Sequence, residues 1–481
     1  MNKNKKVSSL LSSEAAGGDI AERGFKYQAN LIVARIPIWL ADDGFSEMIR
    51  EGLGDVEAKF FRPSLGISRE FIEYKNHLLL PDEFWSEISH FQQMDKEANG
   101  AYYRFILTCK GVSHSLKPIL NGLRRLRDAY PFYDGAKQIQ DESYYSYAER
   151  INKAGRDKET ADFIFSKVWF EIDLVDAEDH PRELFREVLL RIFPIFEELP
   201  SKNSNQAYVE LVRLVDSRLN QPILRPELEN ILSRSVEPMQ HSELILRLHT
   251  NHENNLHNAP QGSIVFDWEK FFGGVDREFP PSKEWNNELL FQLNETKKWI
   301  LSTTRPRFMR LSGNRRLSTS FALGSVFSSV SGFVVQMETK DGLWVTNNYP
   351  NSDTPHYTWY EELRDSEAFG ELVIGIGILK NLIPEVESFL ECMKFSGPRL
   401  YLMGDSAILS DHHNNLAVDQ AKNIILEHLG KHKVRKAHLF MATPAQFALF
   451  LGHRLNATCV IQCYERKAPN AYIPACLMQM S

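Results

Sequence analysis

The chain is short of cysteine, of net charge and of long apolar runs, and each shortage removes a class of protein. Its five cysteines, Cys109, Cys392, Cys459, Cys463 and Cys476, are scattered and odd in number, which excludes a disulfide framework and points to a reducing compartment. Cys459 and Cys463 stand four apart in a strand-like run with no second pair and no suitable histidines, so they read as buried thiols and not as a zinc site. No apolar run approaches the roughly 20 residues that span a bilayer. The most apolar early segment, Leu31 to Leu40, is interrupted by Arg35 and Pro37. The basic start Met1-Asn-Lys-Asn-Lys-Lys6 leads into small polar residues, Ser8 to Gly18, where a signal peptide would have an apolar core. A cytoplasmic protein without a membrane segment is expected. The formal net charge of −7 excludes a generally basic surface, so any nucleic acid must be met by a local patch.

What is present is 481 residues, 43% of them apolar, enough for about two to four ordinary domains. Residues 1–18 read as a disordered lead-in. Asp19 followed by Glu22 has capping-box spacing and opens a helix running to Ile38. After a β-hairpin come a helix from Pro81 to Met94, a strand-like run from Ala101 to Thr108, and a helix from Leu116 to Tyr130. The last carries Arg124, Arg125 and Arg127, either a solvated face or a set of phosphate contacts. Asp162 to Leu174 reads as a further strand, Arg182 to Phe193 as a helix, and helical patterns dominate from Asn205 to about His249. Residues 246–261 are polar, rich in Asn and His, and aperiodic. They read as a linker between a first domain at 19–245 and a second at 262–481, and His249, His252 and His257 as linker residues more readily than as a metal site.

The hairpin carries the chemistry. Gly54-Asp-Val-Glu-Ala-Lys-Phe-Phe61 and Phe71-Ile-Glu-Tyr-Lys75 both alternate polar with apolar residues, with Pro63 and Gly66 between them to make the turn. Glu73 and Lys75, as i and i+2, share a strand face, and the pairing brings Asp55 to them. Two carboxylates can hold a hard divalent cation such as Mg²⁺ against a scissile phosphate, while an ammonium polarises water or phosphate. Glu-x-Lys alone is a weak signal, because it occurs five times, at Glu57, Glu73, Glu295, Glu338 and Glu465. Glu295 lies in a helical pattern, where i and i+2 diverge. A salt-bridged, exposed hairpin face is the alternative reading of the Asp55 set.

The second half contains an internal repeat. At an offset of 126, Phe321-Ala-Leu matches Phe447-Ala-Leu and Val334-Val-Gln336 matches Val460-Ile-Gln462, each within a strand, loop, helix, strand unit. In open α/β units ligands gather where strands end and helices begin. That places Arg315, Arg316 and Ser318 in one candidate loop and Thr443 and Gln446 in the other, with Lys380 and the base-stacking candidate Tyr464 beside them. Ordinary capping by Ser318 and Thr443, with Pro444 in the first helical turn, and core packing by Tyr464 and Trp344 are the plainer readings.

Two resemblances now converge. Arg310-Leu-Ser-Gly, Leu317-Ser-Thr-Ser-Phe-Ala-Leu-Gly324, Ser396-Gly-Pro-Arg-Leu400 and His438-Leu-Phe-Met-Ala-Thr-Pro-Ala-Gln-Phe-Ala-Leu-Phe-Leu-Gly452 make residues 262–481 resemble a SAVED domain, two fused CARF/Rossmann-like units that sense cyclic oligonucleotides. Arg23-Gly-Phe-Lys-Tyr-Gln28 and the hairpin make the preceding part resemble a PD-(D/E)xK restriction-endonuclease-like domain with a helical extension. The order resembles the CD-NTase-associated effector nucleases of CBASS antiphage defence. That resemblance implies an α/β enzyme activated by a cyclic oligonucleotide, a trinucleotide more than a dinucleotide, made by a partner nucleotidyltransferase. It further implies that the chains then assemble as a homo-oligomer and cut double-stranded DNA with little sequence preference. Carried over, Asp55 and Glu73 become metal ligands for Mg²⁺ or another divalent cation, Lys75 the catalytic lysine and Gln28 an accessory on the first helix. A non-catalytic sensor that binds DNA or a protein partner is the alternative.

Overall fold

The structure, a computed structural model, describes residues 13–133, 135–172, 180–234, 244–249, 262–303, 305–313, 315–339, 342–366, 368, 370–455 and 459–479. The chain falls into two compact units, residues 1–61 with 67–240, and 62–66 with 241–481.

The first unit is a six-stranded sheet covered by helices on both faces. Its elements run α1 (Ser13–Ala41), β1 (Phe45–Arg50), β2 (Val56–Arg62), β3 (Gly66–Leu79), α2 (Pro81–Glu97), β4 (Tyr102–Val112), α3 (Lys117–Ala129), α4 (Lys137–Lys153), α5 (Lys158–Lys167), β5 (Val168–Ile172), α6 (His180–Ile192), α7 (Ser201–Ser217), β6 (Ile223–Leu224) and α8 (Arg225–Arg234). The strand order is β5-β4-β3-β2-β1-β6. The hairpin is present, with Gly66 at φ +70° closing its turn. β3, β4 and β5 then run parallel to one another. On one face α1, α6, α7 and α8 bury residues such as Ile32, Trp39, Phe185, Leu211 and Leu228. On the other, α2 to α5 bury Phe84, Phe91, Leu123, Ile151 and Ile164 against Phe71 and Phe105.

Several sequence expectations shift. Residues 13–18, read as disordered, belong to α1, and residues 1–12 lie outside the described part. The expected strand at Asp162 to Leu174 is helical up to Lys167. Asp157 caps α5 by accepting from the Thr160 N–H, Val168–Ile172 is extended, and residues 173 and 174 lie outside the described part.

The second unit holds two sheets. Its elements are β7 (Leu244–His249), β8 (Ile264–Asp267), the single turn α9 (Ser282–Glu284), α10 (Phe291–Ser302), β9 (Phe308–Gly313), α11 (Leu317–Val326), β10 (Val334–Thr339), β11 (Gly342–Val345), β12 (Trp359–Arg364), β13 (Glu371–Ile378), α12 (Ile383–Cys392), β14 (Arg399–Gly404), α13 (Asp411–Lys431), β15 (Lys436–Ala442), α14 (Ala445–Arg454), β16 (Val460–Ala468) and β17 (Ala471–Gln479). One sheet is ordered β11-β10-β9-β7-β8 and the other β12-β14-β13-β15-β16-β17. Residues 244–249, read as the end of a helical stretch and the start of the linker, form β7, parallel to β9 and β8. The remainder of the expected linker, residues 250–261, lies outside the described part. The glycine-rich Gly375 to Leu379 run lies largely in the buried parallel strand β13.

The repeat is real, but its offset is not constant. β9 and β15 begin at 308 and 436, α11 and α14 at 317 and 445, so both pairs are 128 apart. The second strands pair Phe308 with Val334 and Lys436 with Val460, which returns the offset to 126. The connection from helix to second strand is therefore two residues shorter in the later copy. Phe321 corresponds in space to Leu449, and the apparent Phe-Ala-Leu identity is out of register by two.

Candidate active site and sensor loops

The alternation of β3 puts Glu73 and Lys75 on one face, and the Lys75 Nζ lies 3.0 Å from Glu73 Oε1. Asp55 precedes β2. The Tyr74 N–H donates to its Oδ2 at 2.6 Å, and Gln28 Nε2, from α1, donates to its Oδ1 at 2.9 Å. All four expected residues therefore meet.

Local packing explains why Asp55 sits there. Glu57, buried on β2, accepts from the Leu53 N–H at 3.1 Å and from the Tyr102 hydroxyl at 2.8 Å, pinning the loop that presents Asp55. Gly54 lies against the Phe71 ring so closely that a Cβ there would stand 2.1 Å from a ring carbon. Behind the site, Glu70 is fully buried; it accepts from Trp39 Nε1 at 2.9 Å and pairs with Arg104 and Arg35. One α1 face thus fastens Gln28, Arg35 and Trp39 to the sheet.

Burial, and then the neighbouring Glu73 charge, push the Asp55 carboxyl up to about 7. Two carboxylates that repel one another beside a buried amide oxygen, Gln28 Oε1, which has no hydrogen-bond partner, form a donor set that suits a hard divalent cation. Among the described residues no group of three His, Cys, Asp or Glu side chains forms a metal cluster, so the third oxygen here is the amide. Burial opposes the Lys75 charge, but a 2.8 Å ion pair with Glu87 on α2, together with Glu73, outweighs it and holds the ammonium above the usual lysine range.

Glu87 and Glu57 escape the sequence reading. A signal for Glu87 is available: it falls among Phe84, Trp85, Ile88, Phe91 and Met94, a carboxylate on the apolar stripe of its helix. His77, two residues beyond Lys75, pairs with Glu83 at 2.9 Å, one turn before Glu87 on α2, and the β3–β4 register slips by one residue between Lys75 and Leu78. Elsewhere among the Glu-x-Lys sites, Lys59 pairs with Glu47, Glu295 with Lys298 and Glu338 with Arg310, and Glu465 accepts from the Ser318 N–H. Of the arginine group, Arg124 and Arg125 are exposed, while Arg127 lies over Trp169 and donates to the carbonyls of Ile164, Phe165 and Val168.

The sensor loops divide. Arg315 sits just after β9 with Nη1 donating to the Gly313 carbonyl at 3.0 Å and a buried Nε that has no partner; burial lowers its guanidinium to about 10. Arg316 lies against Phe272 and Phe279 and its Nη2 donates to the Glu278 carbonyl at 2.6 Å, while its buried Nη1 has no partner. Ser318 is not the cap of α11: Arg316 holds the N-cap position, and the Ser318 N–H donates to Glu465 Oε1 at 2.8 Å. Pro444, not Thr443, holds the equivalent position of α14, leaving the buried Thr443 hydroxyl without a partner and Gln446 half-buried in the first turn. Lys380 follows β13, the parallel neighbour of the β15 strand that leads to Thr443, and pairs with Glu385 at 3.4 Å. Tyr464 lies in the middle of β16 and is core: its ring stacks on Phe440 at 4.4 Å, and its hydroxyl meets His438 at 2.9 Å. Trp344 is likewise buried.

The chain is similar to known proteins over most of its length. Residues 292–478 match the SAVED family, the SMODS-associated and fused to various effectors sensor domain. CD-NTase-associated protein 4 of Moraxella osloensis is 27% identical over 461 residues, covering 95% of this chain and 96% of its own. The protein of the same name from Acinetobacter sp. (strain ATCC 27244 / 9458) is 27% identical over 466 residues, covering 97% and 98%. The solved Acinetobacter baumannii Cap4 SAVED/CARF-domain containing receptor with the cyclic trinucleotide 2′3′3′-cAAA shares the fold at a TM-score of 0.79 and 24% identity, covering 94% of this chain and 97% of that one. The Moraxella osloensis Cap4 receptor does so at 0.72, covering 95% and 100%. The second unit thus carries a match to the SAVED sensor domain over residues 292–478, and nearly the whole chain is similar to CD-NTase-associated protein 4.

Proposed function

We propose that the chain is a CBASS effector whose second unit senses a cyclic oligonucleotide, in the first instance a cyclic trinucleotide, and whose first unit is a metal-dependent endonuclease that cuts double-stranded DNA with little sequence preference. The observation that carries the nuclease reading is the meeting of Asp55, Glu73 and Lys75, with Asp55 raised to about 7 by burial and by Glu73. Asp55, Glu73 and Gln28 would hold Mg²⁺ or a similar cation, which supplies charge neutralisation at the scissile phosphate. The rest falls to the chain. Gln28 and the Tyr74 N–H orient Asp55, and Glu73 keeps the Lys75 ammonium at the centre, where it faces phosphate oxygens or the attacking water.

For the sensor, the reading draws on the cyclic trinucleotide held by the related Acinetobacter baumannii receptor and on the unmet hydrogen-bonding capacity of Arg315 and Thr443. A ligand activates only by binding the assembled, active state more tightly than the idle one. The test is a plasmid assay with Mg²⁺ and a panel of cyclic di- and trinucleotides including 2′3′3′-cAAA and 3′3′3′-cAAA. Cutting should begin only with a cognate ring, coincide with a rise in mass by light scattering, and vanish in Lys75→Ala, which still binds the ring. Cutting by Lys75→Ala defeats the site, and equal cutting without any ring defeats the gating.

A further inference from the structure

We infer that Glu87 is a positioning residue of the same centre: its carboxylate, reaching in from α2, holds the Lys75 ammonium where the chemistry needs it. This rests on the nuclease reading above. A lysine on its flexible four-carbon stem is a poorly directed cation unless something fixes its end. Here two carboxylates do, Glu87 Oε1 at 2.8 Å and Glu73 Oε1 at 3.0 Å. The three side chains are only 15%, 17% and 19% exposed for Glu87, Glu73 and Lys75, so water competes weakly for the ammonium.

The two anchors are not equivalent. Glu73 is also a candidate cation ligand, and oxygens turned to a cation bind the ammonium less well. Glu87 is then the anchor that remains. Its own placement is firm, because its helix is keyed into the core by Phe84, Trp85, Ile88, Phe91 and Met94 and starts on Pro81. The bulge immediately after Lys75 leaves the strand ladder less able to direct that side chain by itself. A group that acts through Lys75, and not on the cation, also agrees with the absence of a three-carboxylate cluster among the described residues.

The test uses the full-length protein as wild type, Glu87→Ala, Glu87→Gln and Lys75→Ala, activated by whichever ring of the panel works. Glu87→Ala should lower kcat tenfold or more with KM for DNA and the half-saturating Mg²⁺ concentration unchanged, since sub-ångström placement of a catalytic group carries effects of that size. Glu87→Gln, whose amide oxygen still accepts from Lys75, should recover most of that loss. Independently of activity, labelling of Lys75 by an amine reagent, read by mass spectrometry, should rise severalfold in Glu87→Ala and less in Glu87→Gln. A raised Mg²⁺ requirement in Glu87→Ala would overturn the inference by making Glu87 a cation ligand, and unchanged kcat with unchanged labelling would overturn it outright. A fall in kcat matched by a lowered melting temperature and reproduced in full by Glu87→Gln would also overturn it, as a role in folding. Wild-type-like cutting by Lys75→Ala refutes the nuclease reading instead, and the labelling result still decides whether Glu87 holds Lys75.

Discussion

Gly324 and Gly452 each lie against the other helix's backbone: a Cβ on Gly324 would stand 2.0 Å from the Leu449 carbonyl oxygen, and one on Gly452 would stand 2.2 Å from that of Phe321. The contacts are related by the 128-residue offset, so α11 and α14 cross about a local two-fold axis with no room for a methyl group. Backbone cannot step aside as a side-chain end can. Gly452→Ala should destabilise the second unit by about 3 kcal/mol, read from the urea midpoint at unchanged m, and Gly324→Ala should do the same.

Gly54 makes a different demand, because the obstacle is the buried ring of Phe71, itself fixed by Phe91, Tyr102 and Phe105. Gly54→Ala should cost about 2 kcal/mol and displace Asp55. Loss of activated cutting beyond what the lowered stability explains, measured well below the melting temperature, is the expected sign.

Glu70 is the keystone charge behind the site. Burial works against its carboxylate, yet Arg104 and Arg35 hold it below the usual range. Glu70→Gln leaves the Arg104 guanidinium without its counter-charge, while Arg35 keeps Glu171 at 2.8 Å, and should destabilise the first unit by about 3 kcal/mol, because breaking a buried pair on one side is the expensive way to lose it. Equilibrium unfolding of the variant against wild type checks this.

His453, buried on α14 with Nε2 donating to the Phe333 carbonyl at 3.0 Å, is pushed down to about 4, chiefly by burial. The unfolded chain takes up a proton near 6.5 and the folded one does not, so stability present above pH 6.5 is lost as pH falls toward 4. The loss between pH 7 and pH 5 should be about 2 kcal/mol for this group. A series of urea titrations over that range should show the slope, and His453→Gln should flatten it.

Much of the first unit's centre is legible because a half-buried hairpin writes its faces with a period of two: Glu73 and Lys75 have to share a side, and the turn residues set the pairing that adds Asp55. Glu87 is harder to find, since no local rule joins a residue on a helix to a strand before it; only its intrusion into an apolar stripe marks it. The helix at 158–167, read in part as strand, and the strand at 244–249, read as helical, elude the sequence for one physical reason. Short apolar runs such as Leu-Ile-Leu-Arg-Leu satisfy a helical or an extended period alike, and tertiary pairing decides. The sensor loops are located by strand and helix order, but what their side chains meet, as Arg316 meets two phenylalanine rings, depends on neighbours far along the chain.

The changing offset between the repeats carries a last consequence. At 128 apart, Arg315 corresponds to Thr443, Arg316 to Pro444 and Ser318 to Gln446, so the two halves preserve one scaffold and present unlike chemistry at its matching lips. A receptor made this way inherits symmetry only in its skeleton. Each rim is free to diverge without disturbing the glycine crossing, and recognition can be retuned one half at a time.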